Sequence, residues 1–146
     1  MYKPNLTALL LCMAILLPGT GPAADSFRTA GQGVLYQDMV RGTGQYAGIG
    51  DIATIHFESW LDDRGKQGRA IYATRGQQAP VSFVIGTDRV MQGWNEGVIG
   101  MQPGGRRLVK APPGAALGAR GAPGVIPPNA AMIFIIELLS LEKRAP

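Results

Sequence analysis

Val90-Met91-Gln92-Gly93-Trp94-Asn95-Glu96-Gly97-Val98-Ile99-Gly100-Met101 is the stretch on which the reading of this chain turns. Val90, Met91, Trp94, Val98 and Met101 recur at steps of one, three, four and three, which puts them on one helical face. Thr87 or Asp88 stands where an N-cap is expected. Glu96 is the only charge in the segment. Gly93, Gly97 and Gly100 each weaken a helix by up to ~1 kcal/mol relative to Ala. So short and glycine-rich a helix is stable only if something packs closely on it. The pattern predicts one helix lying across a sheet, its Trp94 indole facing inward, either as core filler or as the floor of a pocket.

The flanking sequence supplies the sheet. Gly33 to Arg41 alternates through Val34, Tyr36 and Met39. Asp51 to Leu61 is a stronger strand, with Ala53, Ile55, Phe57, Ser59 and Leu61 on one face and Ile52, Thr54, His56, Glu58 and Trp60 on the other. Arg69 to Thr74 is a shorter strand, and a further one starts at Pro80, where a missing N–H is tolerated. After the helix, Arg106 to Ala111 reads as a strand with Leu108 as its clearest buried position. Ala131 to Leu141 reads as a buried terminal strand with Met132, Phe134, Ile136 and Leu138 on one side. Between these two lie residues 112–129, where Pro112, Pro113, Pro123, Pro127 and Pro128 forbid a helix or an internal strand. Loops of that length in a compact domain are usually functional or disordered, and Leu117, Val125 and Ile126 argue that this one packs onto something. The fold class is α+β, an antiparallel roll with the helix inserted before the penultimate strand.

Met1 to Lys3 is a short basic start, Leu6 to Leu17 is nearly unbroken apolar sequence, and Gly21-Pro22-Ala23-Ala24 supplies small residues. Residues 1–24 therefore read as a secretory signal peptide cleaved after Ala24, with an uncleaved N-terminal anchor as the alternative. Residues 25–32 read as a flexible leader and residues 33–143 as one domain. The protein is expected to be exported, periplasmic or secreted. Cys12, the single cysteine, falls within the signal, so the exported domain has no disulfide to support it. Net charge is +4, with the bases spread apart from Arg106-Arg107, which describes a solvated surface and not a nucleic-acid stripe. One His and no other thiol argue against a zinc or haem site, and no metal or cofactor is expected.

Three further patterns have bland readings. Gly42-Thr43-Gly44-Gln45-Tyr46-Ala47 fits a dinucleotide fingerprint in spacing, but Gly48, Gly50 and Asp51 break the helix that fingerprint requires. His56 lies opposite Phe57 on its strand with no nucleophile or carboxylate partner in sight, which favours a structural or surface role. Asp62-Asp63-Arg64-Gly65-Lys66-Gln67-Gly68 is a charged hairpin loop, and its aspartates more often solvate such a turn than bind a metal.

Taken in order, a series of stretches resembles one family. They are Gly42-Thr43-Gly44, Gly50-Asp51, Ile55-His56-Phe57, Asp63-Arg64-Gly65, Val90 to Val98, Met101, Gly104-Gly105-Arg106-Arg107, Pro112-Pro113, Leu117-Gly118, Ile126-Pro127-Pro128 and Phe134-x-x-Glu137-Leu138-Leu139. The series is similar to the FKBP-type peptidyl-prolyl cis–trans isomerases from about Val34 to Glu142. The resemblance implies a five- to six-stranded antiparallel half-barrel wrapped around one short helix. It implies a proline pocket with Trp94 as floor and Phe57, Ile71, Tyr72, Phe83, Val90, Met91, Leu117, Ile126 and Phe134 around it, and the loop from Leu117 to Ile126 as a flap. It also implies a substrate-binding role for the Met91 N–H. No side-chain acid or base is required by that chemistry. Family members usually carry Tyr at Phe57, Phe at Ile71, Asp at Tyr72 and Tyr at Leu117. Losing these polar groups predicts weaker catalysis and poor binding of macrolides such as FK506 and rapamycin. The expected partners are proline-containing unfolded or nascent polypeptides, not nucleic acid, with membrane contact only through an uncleaved signal, and the protein is expected to be a monomer. A non-catalytic peptide-binding or chaperone module using the same groove is the alternative function, and a structural envelope domain the third.

Overall fold

A computed structural model describes residues 26–76 and 79–144. The signal segment lies outside the described residues. Seven strands form one antiparallel sheet: β1 (Arg28–Thr29), β2 (Leu35–Val40), β3 (Ile52–Asp63), β4 (Lys66–Ala73), β5 (Val81–Val84), β6 (Arg106–Ala111) and β7 (Met132–Glu142). A single α-helix, α1 (Gln92–Val98), connects β5 to β6 among the described residues. The strand order is β1-β2-β6-β7-β3-β4, and β5 pairs with β3. β3 is long enough to serve two neighbours on one edge. Its first residues, Ile52 to Ile55, pair with β5, while Glu58 to Asp63 pair with β4.

Period-two alternation builds the inner face. Ala53 and Ile55 from β3, Val109 and Ala111 from β6, and Met132, Phe134, Ile136 and Leu138 from β7 are all buried in one cluster with Trp94, Val98 and Met101. The helix lies on this face at very close range. A Cβ on Gly93 would stand 2.8 Å from the Ala111 Cβ and 3.1 Å from the Ala115 carbonyl oxygen. One on Gly97 would stand 3.0 and 3.1 Å from the two Val109 methyls. The glycines that weaken α1 as an isolated helix are therefore what lets its backbone rest on the sheet.

The sheet has seven strands where five to six were expected. Arg28–Thr29 pairs with Leu35 and Tyr36 instead of forming a flexible leader, and a 3₁₀ turn at Gly31–Gly33 joins them. The Gly31 N–H donates to the Glu96 carboxylate at 3.0 Å, so the helix anchors this segment. The helix is shorter than Val90 to Met101. Its N-cap is Met91, without a side-chain cap, in place of Thr87 or Asp88. Thr87 Oγ1 instead donates to the Val84 carbonyl at 2.9 Å. The hairpin loop expected over Asp62 to Gly68 contracts to a turn at Arg64-Gly65, because β4 already starts at Lys66. Asp62 Oδ1 accepts the Gly65 N–H there at 2.5 Å, as a turn aspartate does.

The register of β6 corrects two expectations. Arg107, Val109 and Ala111 face inward and Leu108 faces outward, so Val109 is the fully buried residue and Leu108 is only half-buried. Arg107 is not part of a solvated surface. It is 4% exposed, its Nε donates to Asp38 Oδ1 at 2.8 Å, and its Nη1 donates to the carbonyls of Gly97 at 3.0 Å and Ile99 at 2.8 Å. Its guanidinium also sits 4.2 Å above the Tyr36 ring. The last carbonyls of α1 lack intrahelical donors, and a buried cation on the neighbouring strand satisfies them.

Candidate active site

The site forms where the N-terminal turn of α1 meets the inner face. Trp94 is 8% exposed and ringed by aromatics: Phe57 with centroids 4.6 Å apart, Phe83 at 5.8 Å, and Phe134 edge-on at 6.2 Å and 82°. These come from β3, β5 and β7, so each wall rests on a paired strand. The indole Nε1–H is buried without a partner among the described residues. An open donor of that kind costs ~1–3 kcal/mol and calls for an explanation other than stability.

The ten residues singled out from the sequence lie together. Phe83, Trp94, Ile126 and Phe134 belong to the core cluster. Phe57, Ile71, Val90, Met91 and Leu117 are half-buried and packed against it. Tyr72 is the outer member, 41% exposed, with its ring 5.7 Å from that of Phe57. It stands at the outer edge of the cluster.

Two polar clamps hold this wall in place, and sequence reading had assigned neither. Thr74, almost fully buried, bonds the Phe57 backbone from both sides. Its Oγ1 accepts the Phe57 N–H at 2.9 Å, and its own N–H donates to the Phe57 carbonyl at 3.0 Å. His56 Nδ1 lies 3.0 Å from the same hydroxyl, which gives this histidine a structural role. Asn95, also buried, accepts the Gly86 N–H at 2.8 Å and donates to the Thr87 carbonyl at 2.6 Å. That ties Gly86 and Thr87 to the helix. Met91 has extended backbone angles (φ −55°, ψ 140°), and its carbonyl accepts from the Trp94 N–H at 2.9 Å. As an N-cap, its own N–H precedes the first helical bond and takes no part in the ladder.

The proline-rich segment is ordered into a flap. A 3₁₀ turn spans Pro113–Ala115, the Asn129 N–H donates to the Gly118 carbonyl at 2.8 Å, and an isolated bridge joins Ala122 to Ile126. Ile126 and Leu117 pack inward from it, while Arg69 Nη2 on β4 holds it by the Val125 carbonyl at 2.5 Å. No group of three or more His, Cys, Asp or Glu capable of holding a metal occurs among the described residues. Gly42 also has a packing reason, since a Cβ there would stand 2.2 Å from the Pro103 carbonyl oxygen. No helix follows it, as the dinucleotide reading would require.

The sequence profile of the FKBP-type peptidyl-prolyl cis–trans isomerases matches residues 44–139. The chain belongs to this family. It is 36% identical over 109 residues to an FK506-binding protein of Neisseria meningitidis serogroup B, covering 75% of this chain and 96% of that one. It is 39% identical over 97 residues to the peptidyl-prolyl cis-trans isomerase Fkbp12 of Drosophila melanogaster, covering 66% and 86% respectively. Among solved structures, the crystal structure of AtFKBP13 superposes with a TM-score of 0.68 at 28% identity, covering 79% of this chain and 98% of that one. FkpA from Escherichia coli gives the same TM-score at 30% identity, covering 80% of this chain and 51% of that one. The FKBP architecture here is an open antiparallel sheet with one helix, not a closed barrel.

Proposed function

We propose that this FKBP-type isomerase accelerates X-Pro isomerisation in exported polypeptides as they fold, at a rate below that usual in the family. The observation that carries the reading is the Trp94 indole, seated among Phe57, Phe83 and Phe134 next to Met91, the N-cap of α1. Uncatalysed, rotation about the peptide bond crosses a barrier of ~18–20 kcal/mol, because it breaks amide resonance. The twisted amide carries less charge on its oxygen than the planar one. A dry aromatic site favours the twisted form over the dipolar one by substituting for solvent. The Met91 N–H orients the bound chain, which is a positioning contribution. No step moves a proton to or from a side chain, so the scarcity of titratable groups around Trp94 is consistent with this chemistry.

Reduced activity follows from what the walls lack. Phe57, Ile71 and Leu117 offer no polar atom, and a hydrogen bond missing from the bound state costs on the order of 1 kcal/mol. Export rests on the N-terminal sequence, Leu6 to Leu17 followed by Pro18-Gly19 and Ala23-Ala24. A refolding assay on a protein whose slow phase is proline-limited, together with mass measurement of the exported chain, tests both parts. The expected outcome is a faster slow phase and an N-terminus at Asp25. Unchanged refolding kinetics with suppressed aggregation would favour a holding module, and a retained Met1 would overturn cleavage.

A further inference from the structure

A cavity of about 570 Å³ opens beside the aromatic shell and shares two of its walls, Phe83 and Val90. Its remaining lining includes Ser82, Thr87, Arg89 and Arg144, and no acidic residue among the described residues contributes to it. Neither guanidinium is in an ion pair with a described residue. Each is nevertheless placed by its backbone. Arg89 follows the 86–88 turn that Asn95 binds to the helix through Gly86 and Thr87. Arg144 follows Lys143, whose Nζ donates to buried Asp51 at 2.6 Å. Two cations therefore line one concavity that shares Phe83 and Val90 with the proposed proline site.

We infer that this cavity is a second substrate subsite and that it selects polypeptides carrying Asp or Glu within a few residues of the proline. The inference rests on the isomerase reading above and adds to it which segments are preferred. The occupant is argued from charge: an aspartate or glutamate finds two guanidiniums, each able to take a carboxylate in bidentate geometry, and no competing carboxylate in the lining. The Ser82 and Thr87 hydroxyls, already bonded to Thr54 and to the Val84 carbonyl, retain lone pairs that can accept from a peptide N–H. A lysine or arginine at the same place in the substrate meets like charge at close range.

The test is a binding titration of proline peptides against the full chain carrying Trp60→Phe, so that Trp94 is the fluorescent reporter, and it is independent of turnover. The peptides carry Glu, Gln or Lys in turn at each position from three before to three after the proline. The expected result is that at one or more positions Glu binds about threefold tighter than Gln, and Lys weaker. The preference should fade at about 0.5 M salt. The double variant Arg89→Glu/Arg144→Glu should reverse the order of Glu and Lys peptides. Equal affinity of all three series, or an order that the double variant leaves intact, overturns the subsite while leaving the isomerase reading standing. Peptides that bind nowhere near Trp94 overturn both.

Discussion

Leu117 sits on the flap, half-buried against the core cluster, and offers a bound chain only apolar contact. Giving it a phenol tests whether the missing hydroxyl limits the rate. Leu117→Tyr is expected to raise kcat/KM toward proline peptides about fivefold, equivalent to one hydrogen bond of ~1 kcal/mol. An unchanged kcat/KM in a folded variant would show that the hydroxyl is not what the site lacks. The individual residues of this site were unevenly legible. Trp94, Phe83 and Phe134 could be read because large apolar residues on a regular period have few other places to go. Thr74 and Asn95 could not, because a hydroxyl or amide becomes a clamp only when two distant segments meet around it. The Arg107 side chain was hidden for a related reason. A basic pair reads as surface until a helix C-terminus and Asp38 are found facing one member of it.

At the scale of the element, α1 is a helix whose sequence favours contact over propensity. Gly93→Ala tests this, because intrinsic propensity predicts a gain of up to ~1 kcal/mol. Close packing predicts the reverse, since the added methyl would lie 2.8 Å from the Ala111 Cβ, which is fixed to its strand. A net destabilisation of about 1–3 kcal/mol is expected, read as a lowered denaturant midpoint at unchanged m-value. A rise in midpoint would mean that the helix stands off the sheet. The existence and order of the long strands and of α1 were legible, since alternation and helical spacing are local signals. The ends of the helix were not, because Thr87, read as an N-cap, instead gives its carbonyl to Asn95 and its hydroxyl to Val84, and the helix starts after Met91. Strand β1 was also missed. Arg28–Thr29 has no pattern of its own and is ordered by pairing with β2 and by the Gly31 bond to Glu96.

At the scale of the whole molecule, the C-terminal end is tied back to the start of β3. Lys143 Nζ lies 2.6 Å from Asp51 Oδ2. That bond and the Gly48 and Arg144 N–H groups hold the Asp51 carboxyl below the ordinary aspartate value of 3.8, against the opposing effect of burial. In the unfolded chain Asp51 takes up its proton first on acidification. The stabilisation is therefore complete above about pH 4 and is lost as pH falls through the lower folded value. Thermal melts should show a loss of stability below pH 4 that is smaller in Lys143→Met, and an identical acid response in the two proteins would contradict the tie. The central claim is the proposed one: the aromatic cluster around Trp94 and the Met91 N–H lower the barrier to rotation of an X-Pro bond without a catalytic acid or base. Two-dimensional exchange NMR on a short X-Pro peptide measures that rotation directly. With micromolar protein, the cis–trans exchange rate is predicted to exceed that of the peptide alone, while a rate equal to that of the peptide in buffer would contradict the account.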